Sequence, residues 1–251
     1  MLKHRAIRLV AIVAAGLVAT CAAQNAPSQW TQTITSKVIP SHRAEFEGYL
    51  KQIMEGYRKA GVPWFVTLNN VAGDYDEYST IIPIKFADIG TNSLQKALGE
   101  ENYANVVAGI RRTYTSQTRL YSLEMPDQSF HKSGVPYGEY WIETRVLTSN
   151  GKIQDYLTWF QNEMKPAIQK GSAAHLMASR PIFGTASGEF RYTRMLSSLA
   201  ELDKGPYLTQ AIGADAARAL NAKSVPLVRS TSMRIMRVNS KLTFSPPPPS
   251  K

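Results

Sequence analysis

The sequence predicts an α+β fold built from two tandem βαββαβ repeats, residues 30–125 and 139–240, and three observations predict it. Both stretches run through the same signals in the same order: strand, amphipathic helix ending in Gly, hairpin, second helix, strand. Landmarks recur at a slowly drifting spacing. Gly61 and Gly171 are 110 positions apart, Glu77-Tyr78 and Glu189-Phe190 are 112, Gly99 and Gly213 are 114, and Thr118-Arg119 and Met233-Arg234 are 115. A duplicated unit with small loop insertions gives such a drift. Finally, a unit of this ferredoxin-like order covers one sheet face with helices and leaves the other bare. Two units in one chain can bury their bare faces against each other, which predicts one pseudo-dimer rather than two separate beads.

The elements of the first repeat follow from period and punctuation. Trp30 to Val38, rich in Thr, Ile and Val, suits a strand. Pro40-Ser41 opens a helix with Ser41 available as N-cap, and Phe46, Tyr49, Leu50, Ile53, Met54 and Tyr57 form its apolar face. Gly61 closes that helix in the left-handed conformation and Pro63 prevents its continuation. Trp64–Val71 and Glu77–Phe86 make a hairpin, with Pro83 marking a bulge or strand end because it has no amide donor. One helix over Ser93 to Arg112, with Leu94, Ala97, Leu98, Val106, Val107 and Ile110 inward, and a strand over Ser116 to Leu123 complete the unit.

The second repeat follows a linker over residues 126–138. Its first strand is Tyr140 to Leu147. Its first helix, Lys152 to Lys170, buries Ile153, Tyr156, Leu157, Phe160, Met164 and Ile168 and is kinked by Pro166. His175–Ile182 and Glu189–Ser197 form the hairpin, and a helix over Pro206–Leu220 precedes a strand over Val228–Val238. Residues 241–251, with four consecutive prolines, read as an extended tail.

Residues 1–23 read as an export signal: Lys3, His4, Arg5 and Arg8 precede the apolar run Leu9 to Ala19, with cleavage after Ala23. A lipoprotein alternative places a lipid on Cys21, the single cysteine, and only that would bring the chain to a membrane. Residues 24–29 form a flexible lead-in to an exported, periplasmic or secreted domain. Without the three basic residues of the signal the formal net charge falls from +10 to +7, and the remaining cations are dispersed over both halves. That dispersion excludes a nucleic-acid footprint. A domain without cysteine has neither disulfides, nor thiolate zinc sites, nor a cysteine nucleophile.

The helix carrying Met164-Lys165-Pro166, the Gly171 after it, and the run Ser198-Leu199-Ala200-Glu201-Leu202-Asp203 between third strand and second helix carry a resemblance. With the repeat, they make the chain resemble the dimeric α/β-barrel superfamily, in its NIPSNAP-like and antibiotic-biosynthesis-monooxygenase-like branches. The resemblance implies an intramolecular α/β barrel with a pocket between sheet and helices. Cofactor-free oxygenases, haem-degrading enzymes, dye-decolourising peroxidases and proteins of no known activity share that fold, so it fixes no reaction. No family catalytic residue maps onto this chain.

Site candidates come from the strands. Arg145, Arg191, Arg194, Arg229 and Arg234 fall in strands of the second repeat, and a buried arginine needs a carboxylate, a carbonyl or a bound anion. Glu143 and Glu189 are candidate internal partners; the alternative is a pocket in which Arg145, Arg191, Arg194 and His175 meet an anionic group between walls of Trp64, Tyr78 and Trp141. His175 is also the candidate base, and the one axial ligand a haem could use. His42 and His131 read as a helix-start and a linker histidine. No histidine and carboxylate spacing suggests a metal site. The leading expectation is an exported barrel binding a small anionic or aromatic ligand without a cofactor. Its rivals are a cofactor-independent monooxygenase-like or haem-binding enzyme, and a structural or partner-binding envelope protein. The sequence decides neither catalysis nor oligomeric state.

Overall fold

The computed structural model describes residues 29–244, apart from residues 90, 133, 134 and 172. The export segment, Cys21 and the run of four prolines lie outside the described residues. In chain order the elements are β1 (Trp30–Val38), α1 (Arg43–Lys59), β2 (Val66–Asn70), β3 (Glu77–Ile84), α2 (Phe86–Ile89), α3 (Ser93–Leu98), α4 (Glu100–Arg111), β4 (Tyr114–Glu124), β5 (Phe130–His131), β6 (Tyr140–Thr148), α5 (Ile153–Trp159), α6 (Lys165–Gln169), β7 (His175–Phe183), β8 (Glu189–Leu196), α7 (Tyr207–Ile212), α8 (Ala214–Ser224) and β9 (Val228–Val238).

The strands form one antiparallel sheet in the order β4-β1-β3-β2-β9-β6-β8-β7-β5, and β4 also pairs with β7. That last pairing closes eight strands into a ring. Each half supplies four strands in matched order, and two seams join the halves: β2 with β9, and β4 with β7. Alternation along each strand then sends one side chain toward the helices and the next into the barrel. Phe46, Leu50 and Met54 of α1 pack on Tyr78 and Ile82 of β3 in one helix-facing core. Tyr156, Trp159 and Phe160 pack on Phe190 and Tyr192 of β8 in the other. A third apolar cluster, Val66, Leu68, Trp141, Met195 and Met236 with Trp64, Ile81 and Met177 against it, fills part of the barrel itself.

Several local expectations need correction. Ser41 does not cap α1; its hydroxyl bonds the ring of His42, and a 3₁₀ turn over Pro40–His42 leads into the helix. The single second helix expected in each half is two helices, broken at Gly99 (φ 80, ψ 153) and Gly213 (φ 84, ψ 158). A positive φ at these places favours glycine over any residue with a Cβ. Gly61 is left-handed at the end of α1, whereas Gly171 is needed for space: a Cβ there would lie 2.5 Å from the Tyr207 hydroxyl. Pro83 is the penultimate residue of β3, beyond the reach of β2. Ahead of Pro166 the irregularity is a π-helical turn over Phe160–Met164, consistent with the amide that proline lacks.

Two stretches outside the repeats are packed rather than free. In the linker, Phe130–His131 pair with β7 and the buried Gln128 accepts a hydrogen bond from Tyr192 Oη at 2.9 Å. After β9, Leu242 enters the first helix-facing core and Phe244 stacks on Phe65. The match of Thr118-Arg119 to Met233-Arg234 slips by one residue. Leu120 faces Thr33 across its strand pair as Arg234 faces Glu143, so Leu120 is the counterpart of Arg234. A one-residue slip exchanges the faces, which is why Arg234 points into the barrel and Arg119 does not.

Candidate functional site

A cavity of about 950 Å3 occupies the barrel interior. Trp64, Val66, Ile81, Trp141 and Met177 give it an apolar wall, and Thr31, Thr33, Ser122, Ser179 and Thr193 supply neutral polar groups. His131 and Tyr137 line it on the β5 side, and Asn239, Ser240, Lys241 and Thr243 line it from the segment after β9. The residues follow from strand parity: Trp141 and Glu143 on β6, Arg191 and Thr193 on β8, and Ser122 and Glu124 on β4 alternate onto the inner face.

The arginines in this wall are already engaged. Arg191 Nε donates to Glu189 at 2.9 Å and its Nη1 lies 3.5 Å from Glu143. Arg234 Nε donates to Glu143 at 3.0 Å, and its Nη1 bonds Glu77 of the other half at 2.9 Å. Arg145 Nε reaches Glu189 at 3.4 Å. Three carboxylates and three guanidiniums therefore alternate in one chain of contacts with no surplus charge. Burial pushes Glu189 up, but the Thr185 hydroxyl and the charges of Arg191 and Arg145 bring it below the usual carboxylate range. Arg237, also in the lining, is held by Glu139 at 2.6 Å. The wall thus lacks the uncompensated cation cluster that an anionic ligand requires.

The expected site residues separate accordingly. Trp64, Trp141 and Arg191 line the cavity, with Arg145 at the outer end of the charged chain. Tyr78 lies in the helix-facing core, its hydroxyl donating to Glu47 at 2.5 Å. Arg194 faces the helices too, its guanidinium 4.2 Å from the centroid of the Tyr207 ring. His175 is covered: Nε2 lies 3.0 and 3.2 Å from the carbonyls of Val135 and Pro136 and is the donor to them, while Nδ1 is buried without a partner among the described residues. A base must reach a substrate-sized space, and His175 is not part of the lining. The cavity moreover lies inside the sheet ring, not between sheet and helices, where aromatic side chains fill the space.

Among the lining residues that the sequence did not single out, Glu124 differs from the rest. Glu124, the last residue of β4, is half-buried, and its carboxylate has no hydrogen-bond or ion-pair partner among the described residues. Burial raises its pKa above the ordinary carboxylate value. Tyr137, raised by burial and then by the charge of Glu124, stands near it. His131 is held below the usual imidazole range by its protein surroundings and then by His175, whose ring centroid is 5.6 Å away. The signal available in the sequence was parity: Glu124 is in phase with Leu120 and Ser122, with no basic residue opposite.

A haem does not fit these residues. The space between sheet and helices in the second half is filled by Tyr156, Trp159, Phe160, Phe190 and Tyr192. His175 already spends Nε2 on two carbonyls, and propionates in the barrel would face Glu124, Glu139 and Glu143.

No protein family matches the sequence, and no curated protein does. Solved structures do share the fold. A candidate monooxygenase from Lactobacillus acidophilus, 9% identical, aligns over 87% of this chain and 97% of its own with a TM-score of 0.59. An anthrone oxidase-like protein, 12% identical, aligns over 87% and 93% with a TM-score of 0.61. A chlorite dismutase variant from Candidatus Nitrospira defluvii, 11% identical, aligns over 85% and 92% with a TM-score of 0.52. The fold is that of the dimeric α/β-barrel proteins, a mixed α+β architecture around a large antiparallel sheet. At these identities the likeness concerns fold alone.

Proposed function

We propose that this chain is an exported, tandemly duplicated ferredoxin-like barrel that binds an uncharged aromatic molecule inside the ring of strands. The observation that carries the reading is the composition of the cavity wall, where indole and aliphatic groups are exposed while Arg191 and Arg237 are neutralised by carboxylates. Aromatic ligands gain from apolar burial there, and the paired lining arginines offer them no free guanidinium. Support for duplication comes from the equal lengths of β1 and β6, of β3 and β8, and of β4 and β9, paired positive-φ glycines at 99 and 213, and register shifts at Lys37/Val38 and Leu147/Thr148. The export part rests on the basic and apolar pattern of residues 3–19.

Trp64 and Trp141 lie in the wall, so their fluorescence reports occupancy. Titration with naphthalene should quench it saturably, and naphthoate should bind at least about tenfold more weakly, because its charge would be desolvated without a partner. Preferred binding of naphthoate overturns the uncharged-ligand reading. A second reading, cofactor-independent oxidation of the bound aromatic, is favoured by the partnerless Glu124 carboxylate, a group placed to take a proton. The monooxygenase and anthrone oxidase-like neighbours lend it support. Oxygen uptake with hydroxylated aromatics in metal-free buffer, lost in Glu124→Gln, tests it.

A further inference from the structure

We propose that Glu124 is the polar anchor of the cavity, the carboxylate that accepts an O–H or N–H donor carried by a neutral aromatic ligand. The inference deepens the reading above by naming the ligand class, and it rests on that reading.

The argument is a comparison of equivalent places. At one seam of the barrel Leu68 pairs with Val238, and Leu68 and Val238 belong to the apolar cluster. At the other seam the corresponding pair is Ser179 with Glu124. The strand geometry accepts an apolar residue at this place, since Val238 occupies it in the other half. Among the described residues nothing uses the Glu124 carboxylate: its backbone amide donates to the Gln29 carbonyl at 2.9 Å, and its side chain bonds no neighbour. A carboxylate withdrawn from water and left unpaired is unfavourable for folding. A residue that breaks a local rule with no structural gain marks function.

The groups facing it fit a neutral donor. On β4 the neighbour on the same face is Ser122, across the seam stands Ser179, and Tyr137 and His131 close the β5 side. Arg180, next to Ser179, is turned to the helix side, its guanidinium over the Phe190 ring. Among the described residues Glu124 therefore meets no cation, its ionised form is available to a ligand hydroxyl, and an anionic ligand is repelled. A hydrogen bond to an ionised acceptor is roughly twice as strong as a neutral one. The apolar wall of Trp141 and Met177 receives the ring.

The test compares wild type, Glu124→Val and Glu124→Gln in binding naphthalene, a naphthol and para-nitrophenol. Wild type should prefer the naphthol over naphthalene by about tenfold or more, as a hydrogen bond to a charged group gives. The preference should grow as pH rises and Glu124 ionises. Glu124→Val should bind both alike, keep the naphthalene affinity, and melt no lower than wild type, since its counterpart is Val238. Glu124→Gln should keep the fold and lose the pH dependence. Bound to wild type, para-nitrophenol should resist ionisation and lose nitrophenolate absorbance, because a second anion beside Glu124 is disfavoured. A naphthol preference that survives in Glu124→Val, a gain of nitrophenolate absorbance, or a marked fall in melting temperature in Glu124→Val overturns the proposal. If naphthalene binds wild type but the naphthol is not preferred, this inference alone falls. If neither binds, the cavity reading falls with it.

Discussion

The two seams that close the barrel hold equivalent positions and opposite chemistry. Leu68 opposite Val238 seals one with apolar side chains, while Ser179 opposite Glu124 leaves the other polar and open to the cavity. The inner walls differ in the same way. Thr33 in β1 stands where Glu143 stands in β6, each facing the last strand of its own half, and Leu120 stands where Arg234 does. A single backbone plan thus carries a neutral wall on one side and an ion-paired wall on the other. Backbone pairing needs only the register, so the side chains that face the interior can differ between the two halves.

The largest effect should come from the charged wall. Glu143, with a side chain only 7% exposed, holds Arg191 and Arg234 together. Glu143→Ala leaves two guanidiniums short of a partner and should cost about 3–5 kcal/mol. Thr33→Ala at the matching place should cost about 1 kcal/mol or less. Denaturant unfolding of both variants measures the difference, and equal losses would mean that the ion-paired wall is not what distinguishes the halves.

The seams provide the next contrast. Leu68 is 1% exposed, so Leu68→Ala should lose about 2–5 kcal/mol through transfer and cavity terms. Ser179→Ala, at the polar seam, should stay within about 1 kcal/mol of wild type. A comparable loss at both would show that the polar seam is as tightly built as the apolar one.

Acid should also distinguish the carboxylates. Glu189 has a pKa below its unfolded value, so its contribution is present above the ordinary glutamate range and is lost as pH falls through the folded pKa. Glu124 has the opposite sign. Its raised pKa means that the folded state is penalised as pH rises and the carboxylate ionises. Glu189→Gln should therefore flatten the acid limb of a stability curve, while Glu124→Gln should gain on wild type as pH rises above the ordinary carboxylate value. Parallel curves for wild type and both variants would contradict the signs.

Much of the fold was legible because it rests on local periods. The α1 stripe from Phe46 to Tyr57 follows from a spacing of 3.6, and the strand expected over Val228–Val238 has those bounds in the fold. The split of the second helix was present as Gly99 and Gly213, read as landmarks of the repeat but not as breaks. Which strands close the ring was not legible, since β2 meets β9 across some 170 residues and no local signal encodes that distance. The site was half legible. Parity separates Tyr78 from the inner wall, because it follows Glu77 of β3, just as it separates Arg194 from Arg191. Grouping them as one pocket mixed the two faces. Glu124 looked like the approach to a linker, and only the β4–β7 seam gives it a cavity to face.

The smallest effect should be at Arg194. Its counterpart in the first half is Ile82, 2% exposed in the helix-facing core, so this position suits an aliphatic side chain. Arg194 lies half-buried there, its pKa lowered by burial, with Tyr207 beneath its guanidinium. A cation–π contact of this kind contributes about 0.5–2 kcal/mol, and burying aliphatic surface in its place returns a similar amount. Arg194→Ile should therefore leave stability within about 1 kcal/mol of wild type and leave naphthalene and naphthol binding unchanged, since the residue faces away from the cavity. Fluorescence titration and denaturant unfolding measure the two. Arg191→Ile on the opposite face should behave otherwise, stranding Glu143 and Glu189 and destabilising the barrel by several kcal/mol. Should Arg194→Ile weaken ligand binding while Arg191→Ile leaves it intact, the assignment of the two faces would be reversed, and the cavity would have to be sought under the helices.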